Sequence, residues 1–408
     1  MVFIEIFFLS ILSILIIGFL AYFLLMLHFS RKPSNLLKKA IFPSVSLIIA
    51  AYNEELVISK KLENTIEMEY PKDKLEILVV DDGSTDRTNA IARDFAVNHK
   101  DEATIRLIAQ EKRMGKASAL NRAMKQATGD IVILSDADVL LEKDSIQKLI
   151  SNFVEKNVGA VSGIEVIKNA DQSSTTQIEQ GYRSFYNTIR LGESNLDSVI
   201  MCESEFAAYR RGLIKIIPPD SLCDDMELTL SVRKQGFRAI YEPASVFHEC
   251  TPPKYKSRLK HKIRRGQGIQ QTLLRYSNMM FKRKYGAFAF IVMPFEFFMH
   301  LVSPILIPIL LITGIAILIS SSNLLAFFVL GILLISLLIF ITLRIVSPAF
   351  SITLKDSSNG ASSRFLLVLY DFLTLQVCLL IGLILLGIRG PKVKWEQMEE
   401  VRRSISEQ

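Results

Sequence analysis

The 408-residue chain has only four cysteines: Cys202, Cys223, Cys250 and Cys378. None stands in a C-x-x-C pair or at zinc spacing with a histidine, which argues against a disulfide scaffold or a zinc module and fits reduced thiols in the cytosol. No G-x-G-x-x-G follows a strand-like run, and Gly115-Lys116 lacks the glycine spacing and the following Ser or Thr of a phosphate loop. Dinucleotide redox chemistry and P-loop phosphoryl transfer lose their support. Charge is scarce at both ends. Residues 1–27 carry only Glu5, and residues 285–388 carry only Glu296, Arg344, Lys355, Asp356, Arg364 and Asp371. A wholly soluble chain is excluded, as is a disordered or collagen-like one. Acidic residues are missing from Thr251 to Lys284, where eleven basic residues stand. Without those eleven, the 41 acidic residues outnumber the basic ones by four, so the net charge of +7 belongs to a slightly acidic protein with one basic segment.

Ile6 to Leu27 is an apolar run long enough to cross the roughly 30 Å hydrocarbon core of a bilayer. It opens on Glu5 without a basic flank and has no small-residue cleavage site, so it reads as an anchor and not as a signal peptide. Arg31, Lys32, Lys38 and Lys39 follow it and place its C-terminal side in the cytoplasm. Further spans are expected over Phe297–Ile319, Leu324–Leu343 and Phe365–Ile388. Tyr285–Glu296 is expected at the interface. Four spans would put the tail outside, whereas Arg389, Lys392, Lys394, Arg402 and Arg403 prefer the inside. A re-entrant segment or a further crossing near Pro294–Pro308 would remove that conflict. Asp371 inside an apolar run reads either as interfacial or as a buried polar contact. As a helix, Lys256–Met280 places Leu259, Ile263, Ile269, Leu273 and Leu274 on one face with most Lys and Arg turned away. Such a helix is expected to lie on the membrane surface, or alternatively to dock on the soluble domain. With spans on either side, nucleic acid is not an expected partner.

Between the apolar ends, Val45–Ala51, Leu75–Val80, Thr104–Ile108 and Ile131–Ser135 read as buried strands. Helical patterns near Glu54–Met68, Asp86–Val97 and Lys116–Ala127 separate them. This alternation implies a mainly parallel sheet with helices on both faces, and ligands beyond the carboxyl ends of the strands. Polar clusters stand at those ends: Tyr52-Asn53-Glu54-Glu55, Asp81-Asp82-Gly83-Ser84-Thr85-Asp86 and Asp136-Ala137-Asp138.

Asp136 and Asp138 flank one residue at a strand end. Carboxylates this close favour a hard cation, Mg²⁺ or Mn²⁺, shared with phosphates, although turn or cap aspartates have the same spacing. Asp81 and Asp82 are suited to accept hydrogen bonds from a base or ribose, or equally to build a turn, with Asp86 as the helix cap. Arg113 and Lys116 offer positive charge where a helix starts, a position that favours a diphosphate; as exposed surface cations they would need no such role.

Ile49-Ala50-Ala51-Tyr52-Asn53-Glu54, Val80-Asp81-Asp82-Gly83-Ser84-Thr85-Asp86, Gly115-Lys116-Ala117-Ser118-Ala119-Leu120-Asn121 and Asp136-Ala137-Asp138 occur in that order. Together they resemble glycosyltransferase family 2 in its membrane-embedded branch, which includes cellulose, chitin-oligosaccharide, hyaluronan and poly-glucosamine synthases. The resemblance covers about Val45 to Gly268 and implies a glycosyltransferase A-type α/β domain plus transmembrane helices. It also implies a nucleotide-sugar donor (usually a UDP-sugar), a divalent cation and an inverting mechanism. It assigns donor binding to Tyr52, Glu54, Asp81, Asp82, Lys116, Asn121, Asp136 and Arg264, and metal binding to Asp138 with Asp136. Cys223-Asp224-Asp225 matches the family's acidic motif, whose last residue is the catalytic base; Asp225 is therefore the candidate. A helix start at Asp224 or Asp225 offers the alternative role of an N-cap.

Glu203, in Glu203-Ser204-Glu205-Phe206, and Asp224 fall on the family's acceptor side. So do His261 and Arg265, where the Q-x-x-R-W landmark aligns with His261-Lys262-Ile263-Arg264-Arg265. Arginine is kept as Arg264, but the Trp of the landmark is Arg265 here, which removes a stacking surface and favours the addition of one or a few sugars. The expected organisation is an anchor over residues 1–28, a cytoplasmic catalytic domain over 29–250 and a basic interfacial segment over 251–296. Three spans over 297–388 and a basic tail over 389–408 complete it. The implied partners are a glycan or lipid-linked acceptor and the lipids of the plasma membrane. A processive synthase with translocation and a catalytically silent nucleotide-sugar sensor are the competing readings. Sugar, acceptor, linkage and oligomeric state are not encoded legibly.

Overall fold

The computed structural model describes residues 2–34, 36–252, 254–320, 331, 361–391 and 399–406. Its centre is a sheet in the order β3-β2-β1-β4-β7-β6-β8-β5. The first four strands to pair are β1 (Val45–Ala51), β2 (Leu75–Asp81), β3 (Thr104–Ala109) and β4 (Ile131–Asp136), all parallel; β1, β2 and β4 are buried as expected, whereas β3 is an edge strand and only Ile108 in it is buried. Along these strands alternate side chains enter opposite cores. Leu47, Ile49, Ile77, Val79 and Ile133 meet α2 (Ile58–Ile66), α3 (Thr88–Asn98) and α5 (Ser145–Ile150). Ile48, Leu78, Val80, Val132 and Leu134 meet α4 (Lys116–Gln126) and α7 (Asp224–Lys234). Each such side chain contributes about 1.5–3 kcal/mol on burial, and the period of two fixes the register.

The far half of the sheet departs from the parallel pattern. β7 (Phe206–Arg210) runs antiparallel to β4 and to β6 (Val158–Ile167), while β8 (Arg238–Glu249) runs parallel to β6. A two-residue β5 (Leu140–Leu141) pairs antiparallel with β8. The sheet is therefore mixed: the chain leaves β6, runs through the helix Ser174–Leu196 and returns as β7, antiparallel to both of its neighbours.

Among the described residues three helical runs are long and apolar enough to cross a membrane: Phe3–Ser30, Phe288–Ile317 and Asp371–Arg389. The first lies in α1 (Val2–Ser30), whose 29 residues extend about 43 Å. The second begins nine residues earlier than the expected Phe297. It runs through a π-helical turn Phe288–Val292, α9 (Met293–Phe297), a second π-turn Phe298–Val302 and α10 (Ser303–Ser320). Pro294 and Pro308 both lie inside this one helical run, which forms a single apolar stretch over Phe288–Ile317. The third run lies in α11 (Ala361–Arg389). The span expected over 324–343 lies outside the described residues, as do Lys392 and Lys394. A terminal helix, α12 (Glu399–Ser406), packs through Val401 and Ile405 on Val57 and Cys250 of the sheet domain. The described part of the tail therefore lies against the sheet domain.

The basic segment forms α8 (Tyr255–Tyr276) and a 3₁₀ turn Ser277–Met279. Its buried face is polar: Arg258, Lys262, Gly266, Gln270 and Leu273 turn inward, while Leu274 is exposed. Arg258 pairs with Glu179 at 2.8 Å and with Asp371; Lys262 lies 3.1 Å from Asp371 and 3.4 Å from Glu179. These cations were expected to face headgroups. They face carboxylates of the protein instead, and Asp371 is the buried polar contact, fully excluded from solvent.

α1 seats on α6 (Ser174–Leu196) at Gly192, where an added Cβ would fall 2.3 Å from the Met26 carbonyl oxygen. Beside it Tyr22 stacks on Phe295 with ring centroids 3.5 Å apart and donates to Glu193 Oε1 at 2.6 Å. Gly192→Ala is expected to cost about 1–3 kcal/mol by forcing the helices apart. A lower melting temperature of the purified protein checks this; unchanged melting would mean that α1 does not seat there.

Candidate donor and acceptor site

In-register pairing brings the polar strand ends to one level, because Ala51 is opposite Asp81 and Ala50 is opposite Asp136. The loops that follow are tightly wound. Gly83, at φ +72°, lies so close to the 112–113 backbone that a Cβ would fall 2.7 Å from the Lys112 carbonyl carbon. Gly115, at φ +98°, ends the next loop and opens α4. Both conformations favour glycine.

The loop carboxylates are largely committed to holding this geometry. Asp81 Oδ1 accepts from the Ser84 amide at 3.0 Å, and its Oδ2 accepts from Asn89 at 2.9 Å. Asp82 accepts from the amides of Met114 at 2.7 Å and Gly115 at 2.8 Å, and burial pushes its carboxyl upward against those bonds. Asp86 accepts from the Thr88 amide at 3.0 Å, helping to start α3. Asn121, expected toward the donor, instead closes both amide bonds on Ile217, each at 2.8 Å, and so latches α4 to the segment before α7. The Arg113 guanidinium lies over the Tyr52 ring at 3.9 Å.

The centre of the site is Lys116. Its ammonium lies 2.8 Å from Asp136 and 3.5 Å from Asp224, and it donates to Ser204 at 3.0 Å. Burial would discharge it, but Asp136 and Asp224 hold it charged. Burial raises Asp136 to about 7, opposed by Lys116 and reinforced by Glu205 and Asp138. Asp224 and Asp225 are the first two residues of α7, with Cys223 at the cap position, so neither aspartate is the cap; both favour the positive helix end. Asp225 is raised to about 6 by burial and by Asp224 and Glu205, with Arg265 opposing. Arg264 lies within electrostatic reach of Asp224, Asp225 and Asp136.

The other acceptor-side expectations divide. His261 and Arg265 line a cavity between the sheet domain, α8 and α11, together with Tyr182, Tyr186, Glu249 and His300. Burial, Arg265 and Arg264 lower His261 to about 3, so it is a neutral imidazole. Glu203 does not reach that space. It is buried and shared among Arg183, Arg190 and Arg265 at 3.1, 3.2 and 3.2 Å. Its carboxylate is thus engaged by these arginines, of which Arg183 and Arg265 line the cavity.

Several site residues carried no local sequence signal. Lys61 is fully buried beneath the Asp136–Asp138 turn, donating to Ser135 at 2.7 Å and to the Val139 carbonyl at 2.8 Å. Glu54, expected to bind donor, is instead forked by Arg402 at 2.7 and 2.9 Å, and the same guanidinium lies 2.9 Å from Asp138. Among the described residues no three His, Cys, Asp or Glu side chains converge as a ready metal cage. The donor set nevertheless suits a hard cation. Asp136 and Asp138 are oxygen ligands held only by the protein's own cations, and Glu205 Oε2 is a buried oxygen without a hydrogen-bond partner.

Asp82→Ala removes the acceptor of two amides in the loop that aims Lys116. Faster hydrogen exchange at Met114 and Gly115, with a stability loss of about 1–3 kcal/mol, is the expected outcome. Unchanged exchange would show that the loop is held by other contacts.

Residues 46–217 match the model of glycosyl transferase family 2. Probable glycosyltransferase YdaM of Bacillus subtilis is 30% identical over 247 residues, 59% of each chain. Poly-beta-1,6-N-acetyl-D-glucosamine synthase of Staphylococcus epidermidis is 28% identical over 270 residues, 64% of this chain and 63% of that one. The chain thus spans about three-fifths of the length of the curated relatives it matches. The likeness to mannosyltransferase PcManGT from Pyrobaculum calidifontis, solved in complex with GDP-Man and Mn2+, extends beyond the sheet domain to the apolar helices. It has a TM-score of 0.73 and 26% identity, covering 94% of this chain and 98% of that one. The mixed sheet is of the glycosyltransferase A type, and residues 46–217 are a glycosyltransferase family 2 domain.

Proposed function

We propose that the protein is a membrane-bound, inverting glycosyltransferase that moves a sugar from a nucleotide-sugar donor to a hydroxyl acceptor. The acceptor would be a polysaccharide, a glycolipid or a lipid-linked glycan. The observation that carries this reading is the meeting of Lys116, Asp136, Asp224, Asp225 and Arg264 beyond the strand ends, beside a cavity that reaches the apolar helices. In the proposed reaction, Asp225 takes the proton of the acceptor hydroxyl as that oxygen forms its bond to the anomeric carbon. The bond from the anomeric carbon to the diphosphate oxygen breaks, with inversion. Lys116 and Arg264 supply positive charge toward the leaving diphosphate. Asp136 and Asp138 would hold a divalent cation, Mn²⁺ or Mg²⁺, which neutralises diphosphate charge when bound. PcManGT binds GDP-Man, whereas the relatives named as synthases make N-acetylglucosamine polymers; we propose a UDP-sugar donor from the sequence motifs.

Addition of one or a few sugars is supported by Arg265 standing in place of a stacking aromatic. The cytoplasmic, plasma-membrane placement is inferred from the basic residues that follow α1.

With a carboxyl near 6, Asp225 is ionised and able to accept a proton at neutral pH. Transfer is expected to fall about tenfold per pH unit below 6 and to level off above it. Asp225→Asn should lower turnover by about 10²–10⁴-fold while donor affinity persists. Purified protein in native lipid, offered each radiolabelled UDP- and GDP-sugar with products sized by mass spectrometry, tests the reading. No transfer from any donor would support the sensor alternative; long polymer would overturn the short-product assignment; full turnover by the Asn variant would remove Asp225 as the base.

A further inference from the structure

α12 lies across the strand-end site, and its inward residue is Arg402. The guanidinium is buried, with 6% of the residue exposed. Its Nε and Nη2 fork the Glu54 carboxylate, and Nη1 lies 2.9 Å from Asp138 Oδ2. All three nitrogens are therefore spent on carboxylates at the ends of β1 and β4. The rest of α12 holds this position by small contacts. Val401 and Ile405 pack on Val57 and Cys250, Lys60 donates to the Ile405 carbonyl at 3.0 Å, and Lys254 pairs with Glu400 at 3.1 Å. Eight residues make a short helix with little intrinsic stability, so its docking depends on these contacts.

Asp136, Asp138, Glu54 and Glu205 concentrate negative charge at one sheet end. That charge requires cations close by. Lys116 meets Asp136, and Arg402 meets Asp138 and Glu54. A carboxylate oxygen held by a guanidinium is not free to ligate a divalent cation. The two cations therefore compete for Asp138, and each one's binding weakens the other's by the same factor.

We propose that α12 is an autoinhibitory strap: Arg402 occupies the cation position at Asp138 in the resting protein, and loading of a divalent cation with a nucleoside diphosphate displaces Arg402 and lifts α12. The proposal rests on the cation-and-donor reading of the strand-end site given above. The strap leaves when the site is correctly loaded and returns after product release.

The full-length protein in native lipid provides the test, with Mn²⁺ alone and Mn²⁺ plus UDP or GDP as probes. Hydrogen exchange across Val401–Ser406 is expected to speed up at least about tenfold on loading, and Arg402→Gln should bind Mn²⁺ about tenfold more tightly than wild type. Ile405→Ser, which loosens the helix and leaves the charge, should shift Mn²⁺ affinity in the same direction, guarding against a fold defect in the first variant. Equal Mn²⁺ affinity in all three proteins overturns the strap and leaves the cation site standing. Greater protection of α12 on loading also overturns it, since α12 would then close over the donor. Absence of Mn²⁺ binding from all three removes the cation reading itself, and the strap with it.

Discussion

Lys116 is the contact on which the site depends. Its ammonium bridges Asp136 at the end of β4 and Asp224 at the start of α7, two segments 88 residues apart in sequence that would otherwise repel one another. The carboxylates favour the charged form of this half-buried lysine, and the lysine in turn favours ionised carboxylates beside it. Each group therefore fixes the others. The supporting structure serves this pairing: Asp82 shapes the turn that ends at Gly115, and Asn121 anchors the helix that Lys116 opens.

The elements of the fold were legible wherever one local period decided them. Val45–Ala51 is buried along its length, and the four parallel strands fall within one or two residues of their expected ends. The order of motifs identified the strand ends, since a parallel sheet with helices between its strands brings every carboxyl end to the same edge. The antiparallel entry of β7 left no such trace, because Phe206–Arg210 has the same buried character whichever way it runs.

Partnership was far less legible than position. Asp81, Asp82, Glu54, Asn121 and Glu203 all stand near the site, but their polar atoms are engaged by the protein itself. A motif shows that a carboxylate is present and does not show what it binds. Arg402 meets Glu54 across 348 residues, and no spacing rule connects them. The basic segment gives the same lesson in charge. Its local pattern gathers Leu259, Ile263, Ile269, Leu273 and Leu274 on one face, but Arg258 and Lys262 turn inward with Leu273, toward Glu179 of α6 and Asp371 of a distant apolar helix, while Leu274 is exposed.

That inward charge explains how apolar helices and a polar site come to share one chain. Asp371, on α11, is excluded from water and is satisfied by Arg258 and Lys262 of α8. Removing one partner of such a buried cluster leaves an uncompensated charge, which typically costs about 3–5 kcal/mol. α8 is therefore held to the apolar helix by ion pairs as well as by packing. The same helix carries Arg264 and Arg265, just beyond the anchored Lys262, toward Asp225. The position of the cations nearest Asp225 is thus set from within the apolar layer, and a shift of α11 along its axis would be transmitted to them through α8.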